Sequence, residues 1–136
     1  MKLNPYLTFD GHAAEAAQHY AQIFDTDVEA MVRFGEIPAE DQSFVNDDNK
    51  NRVAHARVPF PNGALMISDT PGGMPFDGHS GFSLNVTMED VDTGRALFDK
   101  LAAGGAVQMA YEPTFWAKGF GVCQDRFGVS WMVNVE

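Results

Sequence analysis

Four histidines, one cysteine, a Ser-Asp pair and a group of aromatic side chains are the residues of this chain with the chemistry to hold or transform another molecule. His55 stands apart. It lies in the alternating run Val53-Ala54-His55-Ala56-Arg57-Val58, where it shares a strand face with Arg57 and opposes Ala54, Ala56 and Val58. An imidazole titrates close to neutrality, so a mid-strand histidine on a polar face serves as a ligand donor or general base, or else as a half-buried hydrogen-bonding group within the sheet. His12 and His19 fall seven residues apart in a helical stretch, roughly 10 Å along the axis, which is too far to share one metal ion. Both read as surface residues, as does His79 in a glycine-rich segment. Ser68 alternates with Met66 onto a polar strand face, and Asp69 reads as a cap for the turn Thr70-Pro71-Gly72. No nucleophile elbow sets a serine against a histidine and an aspartate. Trp116, Phe120 and Phe76 suit either a core or an aromatic wall that grips a flat or apolar ligand, with the indole N–H as a directional donor. Lys118 is either solvated or an anion holder. Cys123, mid-strand with no basic neighbour, reads as a small buried hydrophobe.

The elements that must carry these residues come in two similar sets. Residues 3–9 form a strand that stops at Asp10-Gly11, and Ala13, Ala16, Tyr20 and Phe24 mark a helix from His12 to Phe24. Strands follow at 28–34, 53–60 and 64–69. In the second half Phe82, Leu84 and Val86 alternate along a strand, and Thr87-Met88-Glu89-Asp90 matches a capping box with Asp in place of Glu. Val91, Gly94, Phe98 and Leu101 form a helix face that ends at Gly104-Gly105, and strands follow near 106–112, 119–125 and 129–135. The chain therefore reads as an α+β protein of two β-α-β-β-β modules, 1–70 and 80–136. A Gly/Pro-rich connector from Asp69 to Gly81 joins them. Each strand pairs an apolar face with a mixed polar one, such as Leu7 and Phe9 against Tyr6 and Thr8, or Trp131, Val133 and Val135 against Ser130, Met132 and Asn134. Polar faces rich in Ser, Asn, Met, Tyr and His rather than Lys and Glu suit a ligand cavity.

Composition narrows the partners. The 136 residues carry a formal net charge of -10, which argues against nucleic acid or an anionic membrane surface. Glu36, Glu40, Asp41, Asp47 and Asp48 crowd one polar segment but lack a calcium-loop spacing, so the segment reads as a solvated loop. A single cysteine excludes an internal disulfide, no apolar stretch approaches the ~20 residues of a membrane span, and no signal peptide is visible. A cytoplasmic location is the expectation.

Several strings carry a family resemblance: Pro5-Tyr6-Leu7 with Asp10-Gly11, Val53-Ala54-His55-Ala56, Leu65-Met66-Ile67-Ser68-Asp69, Thr114-Phe115-Trp116-Ala117-Lys118, and Asp125-Arg126-Phe127-Gly128-Val129-Ser130-Trp131. With the duplicated order they resemble the PhnB-like branch of the vicinal oxygen chelate superfamily, which includes glyoxalase I, bleomycin- and fosfomycin-resistance proteins and extradiol dioxygenases. The resemblance runs from about residue 3 to 136. It implies a glyoxalase/bleomycin-resistance fold, with two modules forming a curved mixed sheet around a cleft or barrel, commonly in homodimers. It also implies metal ligands (His, Gln or Glu) from the first strand of each module and from the last strand. Those positions fall at Tyr6, Gly81 and Met132, none of which offers a usual divalent-metal side chain. PhnB-like chains are often labelled 3-demethylubiquinone 3-methyltransferase domains, yet no dinucleotide- or adenosyl-type glycine fingerprint opens a helix here. No cofactor is expected.

The leading expectation is thus metal-independent binding of a small molecule. The cleft is expected to be lined by Tyr6, Thr8, His55, Ser68, Asn85, Trp116, Phe120 and Met132, with no catalytic residue assigned. Alternatives are a glyoxalase-like lyase or isomerase with metal ligands at unusual positions, His55 first among them, and a non-catalytic interaction subunit.

Overall fold

In a computed structural model describing residues 1–136, the chain divides into two compact units, Met1–Asp77 and Gly78–Glu136. The first holds β1 (Tyr6–Phe9), α1 (Ala13–Ile23), β2 (Ala30–Arg33), β3 (Val53–Phe60) and β4 (Gly63–Asp69). The second holds β5 (Leu84–Met88), α2 (Val91–Ala102), β6 (Ala106–Glu112), β7 (Gly119–Gln124) and β8 (Ser130–Val135). Each unit forms its own four-stranded mixed sheet, in the orders β1-β4-β3-β2 and β5-β8-β7-β6. The two orders are the same one written twice. The first strand pairs parallel to the last, and the remaining pairs are antiparallel. The two expected modules thus carry two separately hydrogen-bonded mixed sheets, and neither closes into a barrel.

One helix covers one face of each sheet. Helix α1 packs on β3 and β4, and α2 on β7 and β8. Alanines at 13, 16, 17 and 21 and Tyr20 line the buried side of α1, and Leu7, Phe9, Val58, Leu65 and Ile67 of its sheet are buried with them. Leu97, Phe98 and Leu101 of α2 are likewise buried with Trp131, Val133 and Val135. Each such aliphatic side chain, fully removed from water, contributes about 1.5–3 kcal/mol. Space on β7 is made by omission: a Cβ on Gly121 would lie 2.7 Å from the Phe98 ring. At the edge, Tyr111 on β6 donates its hydroxyl to the Val91 carbonyl at 2.9 Å, and the Arg95 guanidinium lies 4.9 Å over its ring. Burial pushes the Tyr111 phenol up from its ordinary value.

The helix starts differ from the sequence reading. In α2 the cap is Asp90 itself, whose carboxylate accepts the Thr93 N–H at 2.9 Å, while Thr87 belongs to β5. In α1 the cap position is His12, whose side chain makes no capping bond. Asp69 from the end of β4 supplies the acceptor instead. One of its oxygens accepts from Gly11 N at 2.7 Å and Ala13 N at 3.0 Å, and the other from Val53 N at 3.0 Å. Asp69 is only 4% exposed, so it ties β4, α1 and β3 together rather than capping the turn at Thr70. The outer carboxylate Asp10 is bound by Arg52 at 2.7 Å, which holds its carboxyl below the usual range. The acidic segment is not featureless: Phe34–Glu36 and Ala39–Asp41 form single helical turns, and buried Asn49 anchors the segment through the Phe44 and Pro71 carbonyls.

Candidate functional site

The helix-free face of each sheet collects the residues singled out by the sequence. In the first unit, the parallel pairing of β1 with β4 aligns Tyr6 with Met66 and Thr8 with Ser68. The antiparallel pairing of β3 with β4 brings Arg57 beside Met66. Since Leu7, Phe9, Ala56, Val58, Leu65 and Ile67 are buried on the helix side, the alternation of strand side chains turns Tyr6, Thr8, His55, Arg57, Met66 and Ser68 to the open side. One detail of β3 departs from simple alternation. Val32 and Arg33 pair with His55 and Val53, leaving Ala54 as the extra residue of a bulge. The bulge reverses the phase, so Val53 rather than Ala54 enters the core.

His55 and Tyr6 form the polar centre of this face. The Tyr6 hydroxyl lies 3.3 Å from His55 Nδ1, and the rings are 5.9 Å apart at a tilt of 37°. Two proton arrangements satisfy that contact. If the phenol donates to Nδ1, then Nε2–H is free to donate to a ligand. If Nδ1–H donates to the phenol oxygen, Nε2 is left as an acceptor and base. The nearby positive charge is neutralised: Arg57 is bound to Glu29 at 2.5 Å.

In the second unit the same register rules apply. Asn85 pairs with Met132 and Thr87 with Asn134 on the β5 side, while Val122 pairs with Met132 and Phe120 with Asn134 on the β7 side. With Gly119, Gly121, Cys123, Trp131, Val133 and Val135 buried, Asn85, Thr87, Phe120, Val122, Met132 and Asn134 share the open face. Ser83 and Ser130 extend it with a 2.7 Å hydroxyl pair, and Asn85 donates to the Thr87 hydroxyl at 3.3 Å. Trp116 joins from the loop before β7. Its ring is 5.3 Å from Phe120 and 4.7 Å from Phe115, edge to face with each.

The two tryptophans divide their labour. Trp131 is buried, and its indole N–H donates to Asp125 at 2.8 Å, while the same carboxylate accepts from Phe127 N and Val129 N in the turn. Trp116 is 52% exposed, so it is a surface residue and not core packing. Cys123 is fully buried, and desolvation, reinforced by the Asp125 charge, pushes its thiol up to about 11. It is therefore no nucleophile. His12 lies on the surface beside Glu15, and His79 is half-buried with its ring edge-on to Phe82.

Seven of the eight residues of the predicted site lie on the helix-free strand faces, and Trp116 lies in the loop before β7. Tyr6, Thr8, His55 and Ser68 are together in the first unit. Asn85, Phe120 and Met132 are together in the second, with Trp116 against Phe120. Met66 and Asn134, which the alternation also puts on polar faces, join the expected lining, as does Thr87, which the capping motif had drawn away from its strand.

The repeat also corrects one position. Tyr6 lies three residues before the end of β1, opposite Met66. Its counterpart three residues before the end of β5 is Asn85, opposite Met132. Gly81 precedes β5 altogether.

The family model described as 3-demethylubiquinone-9 3-methyltransferase matches residues 1–134. The chain belongs to this family. It is 37% identical to protein YjdN of Escherichia coli (strain K12) over 142 residues, covering 99% of this chain and 95% of that protein. Among solved structures, protein PA1353 from Pseudomonas aeruginosa is similar at 40% identity and a TM-score of 0.91, over 100% of this chain and 98% of that one. A PhnB protein from Bacillus cereus follows at 27% identity and a TM-score of 0.80, with both chains fully covered. A glyoxylase/bleomycin resistance protein/dioxygenase domain from Frankia sp. EAN1pec shares the fold at 15% identity and a TM-score of 0.66, over 97% of this chain and 88% of that one. The chain is thus a PhnB-like member of the vicinal oxygen chelate superfamily.

The superfamily's metal does not fit these residues. The positions that would hold it are Tyr6, Asn85 and Met132, a neutral phenol, an amide and a thioether, where a divalent ion wants imidazole or carboxylate. Nor does any group of three or more His, Cys, Asp or Glu side chains come together elsewhere. No helix is long and apolar enough to cross a membrane.

Proposed function

We propose that this PhnB-like protein binds a small molecule on the open faces of its sheets, without a metal held by the superfamily's usual positions. The make-up of those faces carries the reading. A sheet face that meets only water is commonly rich in Lys and Glu. Here Met66, Ser68, His55, Met132 and Asn134 are half-buried, and hydroxyl, amide, imidazole and thioether groups stand side by side. Such sparse, directional polar groups among apolar surface are those of ligand pockets. The Tyr6–His55 pair adds a donor or an acceptor according to its tautomer.

The methyltransferase wording of the family description gains no support from the chain's own chemistry. A nucleotide-type cofactor commonly seats its charged group on free amides where a helix begins. At α1 two of those amides, Gly11 N and Ala13 N, are occupied by Asp69.

A thermal-shift screen of apolar, aromatic and anionic small molecules tests the reading. A ligand that binds only the folded chain raises the melting temperature by an amount set by its affinity. The reading predicts at least one compound whose shift is lost in His55→Ala or Phe120→Ala. Hits that survive both substitutions, or no hit at all, would contradict it.

A further inference from the structure

The aromatic edge of the second unit says more about what its open face accepts. Trp116 and Phe115 are 52% and 97% exposed, yet their loop is held at several points. The Thr114 hydroxyl accepts from Trp116 N at 3.3 Å and Ala117 N at 3.1 Å, Thr114 N donates to the Ala117 carbonyl, and Lys118 N donates to the Val135 carbonyl at 2.7 Å. Ala117 is buried and anchors the turn. An indole presented to solvent on a backbone already ordered loses little further entropy when a partner stacks on it. Behind the indole stands Phe120, and beside Phe120 stands Asn134, whose side-chain oxygen is buried without a hydrogen-bond partner. A buried acceptor of that kind calls for a donor. The formal charges at this end are Glu112, directly opposite Phe120, Lys118, just before β7, and Glu89 and Glu136, just after the ends of β5 and β8. Three carboxylates surround one ammonium, so nothing here favours an anion. Asn85, Thr87, Val122 and Met132 complete a face with no ionisable group.

From this geometry we infer that the open face of the second unit recognises an uncharged planar aromatic or heteroaromatic ring bearing hydrogen-bonding groups at its edge, stacked on Trp116. The inference rests on the small-molecule reading above and narrows it to a ligand class. Small anions such as phosphonates and dicarboxylates find no unopposed cation here, and are not its ligands.

The chain has two indole N–H groups, of which only that of Trp116 is at the surface. Nitrogen-15 spectra of the full chain therefore read this site directly, with Trp116→Phe assigning the signal. The probes are caffeine, coumarin and riboflavin as neutral rings, and methylphosphonate and malonate as anions. The expected result is a saturable shift of the Trp116 indole and the Asn134 side-chain amide with at least one neutral ring, and none with either anion. Affinity should exceed that of the same ring for free N-acetyltryptophanamide by at least tenfold, and Trp116→Ala should remove that advantage while the remaining spectrum stays folded. Neutral rings that bind no better than to the free amino-acid amide overturn the inference. If in addition the anions shift Lys118, Asn85 or Met132 signals, the ligand class is wrong while the binding reading stands. If no open-face signal moves with any probe, both fall.

Discussion

Replacing Asp69 is the most informative perturbation of the fold, because one buried carboxylate serves three backbone donors from two elements. Its oxygens accept from Gly11 N, Ala13 N and Val53 N at 2.7, 3.0 and 3.0 Å. Asp69→Asn preserves size and one oxygen, which can keep both bonds at the start of α1. Its amide nitrogen then faces the Val53 N–H, donor against donor. Leaving one buried donor unsatisfied costs about 1–3 kcal/mol. Asp69→Ala leaves all three donors without the carboxylate, and Gly11 is exposed enough to recover water. Two uncompensated buried amides, partly relaxed, put the loss at about 3–5 kcal/mol, against a typical domain stability of about 5–15 kcal/mol. Equilibrium urea unfolding reads both, and hydrogen exchange at Ala13 and Val53 locates the effect. The order wild type, Asn, Ala in decreasing stability is expected, with amide protection lost at Val53 in Asn and at both positions in Ala. An Asn variant within about 0.5 kcal/mol of wild type, with Val53 still protected, would refute the assignment; such a difference is within ordinary surface-substitution scatter.

Three further outcomes follow from particular contacts. Gly121→Ala puts a methyl 2.7 Å from the buried Phe98 ring, and such overpacking costs about 1–3 kcal/mol; denaturant unfolding and near-ultraviolet dichroism should both register it. Cys123, buried with its thiol at about 11, should resist iodoacetamide at pH 8 in the folded chain and react once urea unfolds it, as followed by intact mass. Asp10, held below its ordinary value first by the hydrogen bond from Arg52, should titrate at lower pH than a free aspartate by carboxyl carbon shift, and return to the ordinary range in Arg52→Met. Because the folded value is the lower one, the Asp10–Arg52 contact stabilises the chain above the unfolded carboxyl's range. That contribution is lost as pH falls through the folded value.

Much of this architecture is legible in the chain itself. Strand alternation separates Tyr6 and Thr8 from Leu7 and Phe9, and Met132 from Trp131 and Val133, because a half-buried strand repeats every two residues. The repeated order of elements is legible for the same reason, as are the two helices with their apolar stripes. What is not legible depends on pairing between distant segments. The bulge at Ala54 arises from how β2 meets β3, and it moves Val53 into the core against the simple alternation. The cap of α1 comes from Asp69, dozens of residues away, because β4 ends beside the start of the helix. A local motif predicted Thr87 as the cap of α2, but Thr87 is drawn into β5 by pairing with Asn134, leaving the role to Asp90. The position matching Tyr6 is misplaced at Gly81 for a related reason. Counting along the connector cannot replace strand register, which points to Asn85. The strand faces that carry Tyr6, Thr8, Ser68 and Met132 are legible from alternation, but the Tyr6–His55 contact and the exposure of Trp116 emerge only when the strands are paired and the loop after Thr114 is closed.

Native mass spectrometry of the chain after incubation in cell extract tests the central claim most directly. The account predicts that the wild-type chain retains a small organic molecule of defined mass, released on denaturation, with no divalent metal in stoichiometric amount. It also predicts that the retained species falls sharply in His55→Ala or in the double variant Trp116→Ala, Phe120→Ala. A chain that keeps its bare mass, or one that carries a full equivalent of divalent metal, would contradict it.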